Sequence, residues 1–170
     1  MPVHPWSRVG GEPEDRDWPQ GTPGHQPIIH PTARISAYCT VDAGKDQPTR
    51  IGARSWLLQH VHAGHDSQIG EDVEITTGAI IGGHATICDR TKIGLGAVIL
   101  PFRTIGPGAT IGAGAVVTKN VPAGETWVGN PARKLEQHAR DPRPHTERNT
   151  ATVTELDHDA ARDVWEAITA

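Results

Sequence analysis

An apolar residue returns at every sixth position along the middle of this chain. From Ile69 the series runs through Ile75, Ile81, Ile87, Ile93, Ile99, Ile105, Ile111 and Val117 without a slip. Neither the helical period of 3.6 nor strict alternation produces such a beat, and a fixed short period is the mark of stacked repeats. The unit reads apolar–Gly–x–x–small–x, as in Ile93-Gly94-Leu95-Gly96-Ala97-Val98. The apolar residue faces inward from a short strand, and the small residue four positions on faces inward near a corner. The glycine between them is expected to take backbone angles that are costly for a residue with a Cβ. Three hexads close a triangular coil, and coils stack at a strand spacing of about 4.8 Å. One coil cannot bury its own inner face, so stacking supplies the core.

The series extends backwards through Ala63, Leu57 and Ile51, while Ile29, Ile35 and Val41 share a register of their own. The step from Val41 to Ile51 is four residues too long, so the segment from Asp42 to Pro48 is expected to bulge from a corner as a short loop. The reading is an all-β domain, a parallel β-helix of about five coils over residues 28–135. Residues 1–27 are proline-rich without an apolar period, which predicts an extended or disordered arm that Trp6 and Trp18 pin to the surface. Residues 136–153 read as a polar linker. Residues 154–170 read as a helix with Thr154 as N-cap and Leu156, Ala160, Val164, Ala167 and Ile168 on one face.

Composition agrees. Aromatic residues make up only 4% of the chain, too few for a conventional core, while 19 glycines suit a turn in nearly every repeat. A formal net charge of −4 leaves no basic footprint for nucleic acid. The two cysteines, Cys39 and Cys88, form no CxxC pair, so a reducing cytoplasm is the expected location. No apolar run approaches the roughly 20 residues that span a bilayer, and the N-terminus lacks the apolar stretch of a signal peptide.

The chemistry concentrates in Gln59-His60-Val61-His62-Ala63-Gly64-His65-Asp66, with His84 one coil later. His65 is third in the hexad that starts at Ala63, and His84 is fourth in the hexad that starts at Ile81. The two therefore lie one above the other, offset by one residue, and both face outward. Imidazole titrates near physiological pH and suits a general base. A carboxylate beside it fixes the tautomer and supports the imidazolium. Asp66 adjoins His65, but successive strand residues face opposite ways, so their contact requires the corner to bend back. The plainer alternative is that these histidines decorate the surface.

The window from His62 to Asp66, with His84 nineteen residues beyond His65, resembles the active-site pattern of UDP-N-acetylglucosamine acyltransferases of lipid A synthesis. His65-Asp66 before Ile69-Gly70 also resembles sugar acetyltransferases of the sialic-acid and bacillosamine type. The stretch from Gly112 to Gly124, then Val128-Gly129-Asn130-Pro131-Ala132-Arg133, is similar to the C-terminal signature of acetyl-CoA-dependent hexapeptide transferases. The resemblance covers about residues 55–135 and implies a left-handed β-helix, a homotrimer with sites between subunits, and an acetyl-CoA or other acyl-CoA or acyl-carrier thioester as donor. It implies His65 as base, Asp66 as its support and the Gly83 N–H as oxyanion donor. His62, His84 and Gln59 would meet a sugar or nucleotide-sugar acceptor; Gly83, Leu95 and Ala113 the pantetheine arm; Lys119 and Arg133 the CoA phosphates.

No metal is expected, and no cysteine is placed for a covalent acyl-enzyme, with Cys39 inward and Cys88 at a corner. Two features depart from the resembling enzymes. The C-terminal stretch is acidic where the lipid A type carries a basic helical region, and residues 1–27 read as an arm where the sialic-acid type carries an α/β domain for nucleotide-sugar. Two other readings stand beside transfer. Histidines five apart, His60 and His65, are a spacing that γ-class carbonic anhydrases use for metal. A trimeric scaffold or binding module without catalysis would also suit the arm and the terminal helix.

Overall fold

The computed structural model describes residues 3–13 and 15–136. The sixfold beat becomes a three-sided wind of short strands. The first side stacks β1 (Arg8–Val9), β4 (Thr40–Val41), β7 (His62–Ala63), β10 (Ile80–Ile81), β13 (Val98–Ile99) and β16 (Val116–Val117). The second stacks β2 (Ile28–Ile29), β5 (Arg50–Ile51), β8 (Gln68–Ile69), β11 (Thr86–Ile87) and β14 (Thr104–Ile105). The third stacks β3 (Arg34–Ile35), β6 (Trp56–Leu57), β9 (Glu74–Ile75), β12 (Lys92–Ile93), β15 (Thr110–Ile111), β17 (Thr126–Val128) and β18 (Arg133–Lys134). Every ladder is parallel except β17 against β18. The architecture is an all-β, left-handed parallel β-helix of about six turns.

Register follows the repeat: Ile81 pairs with Ala63 on one side and Ile99 on the other, and Ile87 with Ile69 and Ile105. The second residue of each regular two-residue strand points into the core, where Ile75, Ile81, Ile87, Ile93 and Ile105 are fully buried. The small residue four positions on joins them, with Ala85, Ala97, Ala109 and Ala115 also at zero exposure.

The role expected of the second-position glycine needs correcting. Gly94 has ordinary φ; it is required because a Cβ there would stand 2.5 Å from the amide nitrogen of Ala113 on the next coil. The left-handed corner falls two residues later, at the fourth position. Gly96 and Gly114 fill it in some hexads, but Arg54, His60, Asp66, Asp72, His84, Arg90 and Phe102 fill it in others, all with φ between 54° and 61°. Such residues carry a conformational cost of order 1 kcal/mol each, which the surrounding ladders must outweigh.

The N-terminal segment also differs from a free arm. Val3 and Val9 are themselves six apart and extend the beat by most of a turn: Val3 bridges to Ile35, and Val9 pairs with Val41. This is why the wind has about six turns and not five. Trp6 lies against Tyr38, with ring centroids 5.5 Å apart. Trp18 donates to the carbonyl of Thr22 close by in the chain, so it does not pin the arm to a coil through its indole N–H. The expected linker beyond Glu136 and the expected C-terminal helix lie outside the described residues. Among the described residues no helix is long and apolar enough to cross a membrane.

Stacking makes each inward isoleucine common to two interfaces. Ile87→Ala should lower unfolding free energy by about 2–5 kcal/mol, measured as a lower urea midpoint at unchanged slope.

Candidate active site

His65 stands at the corner between β7 and β8, third in its hexad. The next residue, Asp66, has φ of 61°. That left-handed turn bends the carboxylate back, so two neighbours that would diverge along a strand meet instead: His65 Nδ1 and Asp66 Oδ2 are 2.7 Å apart. The contact that the sequence left conditional is therefore made.

Asp66 is buried. Its carboxylate accepts from three backbone amides of the inserted loop: Lys45 N–H to Oδ2 at 2.9 Å, and Asp46 and Gln47 N–H to Oδ1 at 2.8 and 2.7 Å. With His65, that fills the roughly four acceptor sites of a carboxylate. Burial pushes the Asp66 carboxyl up, but the His65 hydrogen bond and the three amides outweigh it and hold the group below the usual carboxylate range. An anion here accepts, so the network assigns the His65 proton to Nδ1 and leaves a lone pair on Nε2.

Nε2 lies over Gly83 of the next coil. A Cβ at Gly83 would stand 2.6 Å from Nε2 and 2.8 Å from Cε1, so only glycine admits the ring. The Gly83 N–H makes no hydrogen bond among the described residues, while its carbonyl accepts from Phe102 N–H at 3.1 Å. His84 N–H donates to the His65 carbonyl at 2.9 Å. The two imidazoles meet edge to face, 5.1 Å between centroids. His84 Nε2 is 3.7 Å from Asp66 Oδ2 and 3.9 Å from Asp46 Oδ2. His84 also stacks on Phe102, with 4.6 Å between ring centroids. These groups open on a cleft of about 390 Å³. His65, Gly83 and His84 line it with Pro101 and Phe102 of the following coil, and Asp15, Lys45 and Asp46 complete the lining. A larger groove of about 580 Å³ runs over the second sheet and is lined by neither His65 nor His84.

His65, Asp66 and His84 also bring potential metal-ligating atoms within 4.8 Å of one another. A cation there would have to displace amides or His65 from a carboxylate already saturated with donors.

The remaining sequence candidates separate. His62 lies outside the cleft lining, its Nδ1 2.7 Å from Thr40 Oγ1 and its Nε2 3.7 Å from Asp42 Oδ2. His60 occupies a different corner and stacks on Tyr38 at 5.2 Å, so the five-residue spacing of His60 and His65 spans two corners. Gln59, Leu95 and Ala113 share that other corner as third residues of their hexads, with Thr77 on the coil between Gln59 and Leu95; the Gln59 carbonyl accepts from Gly78 N–H at 3.0 Å, and Gly114 N–H donates to the Leu95 carbonyl. Within one chain, Gly83 is therefore not aligned with Leu95 and Ala113. Lys119 falls in the His65–Gly83–Pro101 column, exposed, two coils beyond Gly83. Arg133 is exposed on β18 and donates to the Ala132 carbonyl. Cys39 is buried and its thiol pushed up by burial; Cys88, half-buried, is also pushed up and lies on the larger groove.

Four participants escaped the sequence reading: Asp15, the 45–47 amides, Asp46 and Phe102. Two had a signal. The insertion falls at the third and fourth positions of the Val41 hexad, one coil before His65 and Asp66. Phe102 is eighteen residues after His84, hence on the same corner. Nothing in the local sequence marks Asp15.

Residues 84–119 match the six-repeat hexapeptide family of bacterial transferases. That match falls on the later coils, where the sixfold beat runs without a slip. It is 41% identical over 114 residues to the UDP-3-O-acylglucosamine N-acyltransferase of Maricaulis maris (strain MCS10), covering 67% of this chain and 33% of the relative. It is 34% identical over 139 residues to the acyl-[acyl-carrier-protein]–UDP-N-acetylglucosamine O-acyltransferase of Burkholderia ambifaria (strain MC40-6), covering 78% and 50%. A solved UDP-N-acetylglucosamine acyltransferase superposes with a TM-score of 0.74 at 29% identity, over 78% of this chain and 51% of that one. The chain thus spans between a third and a half of the length of these curated relatives.

The Asp66 carboxyl lies below its ordinary value of about 3.9 in the folded state, so it stabilises the fold above that pH. That contribution is lost as pH falls through the folded value. Asp66→Asn should lower the urea midpoint at pH 7 and remove this share of the acid loss, as read from urea midpoints against pH.

Proposed function

We propose that this hexapeptide-repeat protein transfers an acyl group, in our reading acetyl from acetyl-CoA, to a hydroxyl or amine of a sugar or nucleotide-sugar. The observation that carries the proposal is the His65–Asp66 pair. A buried, amide-clamped carboxylate holds Nδ1–H at 2.7 Å, and the opposite ring nitrogen lies against Gly83. The names of the relatives, acyltransferases of UDP-linked glucosamines, support the same class.

In this mechanism His65 Nε2 takes the proton of the acceptor O–H or N–H as that atom attacks the thioester carbonyl. The carbonyl oxygen becomes an oxyanion to which Gly83 N–H donates; one such donor is worth about 3 kcal/mol. Collapse forms the ester or amide and breaks the C–S bond, and the thiolate recovers the proton from the imidazolium. Asp66 stays ionised and steadies that cation. Transfer is direct, because neither raised-pKa cysteine lines the cleft.

The assembly we infer is a cytoplasmic homotrimer. In it the Gly83 corner of one subunit would face the Leu95–Ala113 corner of the next, giving the pantetheine arm both walls, with Lys119 and Arg133 toward the CoA phosphates. His62, His84 and Gln59 would serve the acceptor. The carrier-protein donor in the name of the Burkholderia relative makes an acyl-carrier thioester the second donor to test.

Purified protein should release free thiol from acetyl-CoA or an acyl-carrier thioester only when an amino-sugar or sugar nucleotide is present. His65→Ala should lower transfer by about 10²–10⁴-fold with circular dichroism and sedimentation unchanged. An unaltered rate in His65→Ala would defeat the assignment. Gly83→Ala should also lose most activity, because its methyl group takes the space of the His65 ring.

A further inference from the structure

We propose that Asp15, through its ion pair with Lys45, is a positioning residue for the His65–Asp66 pair: the N-terminal segment holds the loop whose amides fix the catalytic carboxylate. The inference rests on the reading of His65 as the base.

Asp66 owes three of its four close donors to the backbone of residues 45–47. That loop is an insertion between two strands of the wind, so no ladder of the coil dictates its shape. Its anchors lie elsewhere. On one flank, Gln68 Nε2 donates to the Pro48 carbonyl at 3.0 Å. On the other, the N-terminal segment grips the loop twice. His25 and Gly44 exchange N–H···O bonds, each 2.8 Å. Asp15 Oδ2 meets Lys45 Nζ at 2.8 Å. The approach is close enough that a Cβ on Gly24 would stand 2.6 Å from the Gly44 carbonyl oxygen.

The Asp15 carboxylate is itself built into a turn. Its second oxygen accepts Asp17 N–H at 2.9 Å, and its carbonyl accepts Trp18 N–H at 3.0 Å. The pair therefore joins an ordered turn to the residue whose own amide donates to Asp66 Oδ2, the oxygen that His65 Nδ1 also contacts. A partly exposed ion pair of this kind contributes little to overall stability. Its effect is expected in geometry, where small misplacement of a reacting group is costly.

The test compares Asp15→Asn, Lys45→Gln, the charge swap Asp15→Lys with Lys45→Asp, and Asp17→Asn as a control on the same turn. All are made in the full chain and followed by transfer kinetics and by the proton NMR signal of His65 Nδ1–H. Each single loss should lower kcat about tenfold or more, in keeping with the cost of misplacement, with KM for both substrates nearly unchanged. The two losses should not add, as expected for partners in one contact. The swap should recover most of kcat, and Asp17→Asn should behave as wild type. The downfield Nδ1–H signal should weaken in both singles while the urea midpoint holds.

Wild-type kcat and an intact Nδ1–H signal in Asp15→Asn would overturn the proposal. So would a loss confined to KM, which would make Asp15 a substrate contact instead. The underlying reading fails separately: if His65→Ala transfers at the wild-type rate, the base is another group, and the NMR signal still reports whether Asp15 orders the pair.

Discussion

Each coil of this protein is completed by the coils beside it. A two-residue strand with one inward side chain has neither a hydrogen-bonded partner nor a buried face of its own. Stacking provides both, which is why the inward isoleucines of the middle coils are buried although no segment is long. The same stacking sets how closely successive corners approach, and so dictates glycine at second positions such as Gly94. His65, Gly83 and His84 of the candidate site are arranged on this periodic frame.

The frame makes a site by exception. At most corners the left-handed residue is a glycine or an exposed polar side chain. On one edge the fourth positions are Asp66, His84 and Phe102, and the third positions of the first two coils are His65 and Gly83. The left-handed φ of Asp66 reverses the usual divergence of neighbouring side chains and creates the imidazole–carboxylate pair. The glycine at 83 leaves the room the ring occupies. A repeat that spaces residues eighteen apart in sequence thus becomes a device for stacking functional groups one coil apart, and the His65–His84–Phe102 ladder follows from it.

What the repeat does not supply is a set of donors for a buried carboxylate. Those come from outside the periodic pattern, from the loop inserted after Val41, against which the segment before Ile28 lies. The insertion leaves the ladders intact, since β4 still pairs with β7 in register. It adds a layer over one corner only, where amides can close on Asp66. The coils carry most of the stability of this region, to which the ionised Asp66 adds, while in our proposal the loop with its anchor sets the orientation of the histidine.

The sequence by itself determined the wind, its inward residues, the insertion and the near-superposition of His65 on His84, because all of these follow from counting in sixes. It also made the Val3–Val9 step available, although a proline-rich context hid a pattern of only two members. Only the tertiary structure decided that His65 bonds to Asp66, that His60 and His62 leave the cleft, that Gly83 lies apart from Leu95 and Ala113 within one chain, and that Asp15 reaches Lys45. The physical reason is the same in each case. Periodicity fixes which wall a residue occupies, but the direction of a side chain at a corner depends on one backbone angle, and contacts with non-repeating segments depend on a path that no period describes.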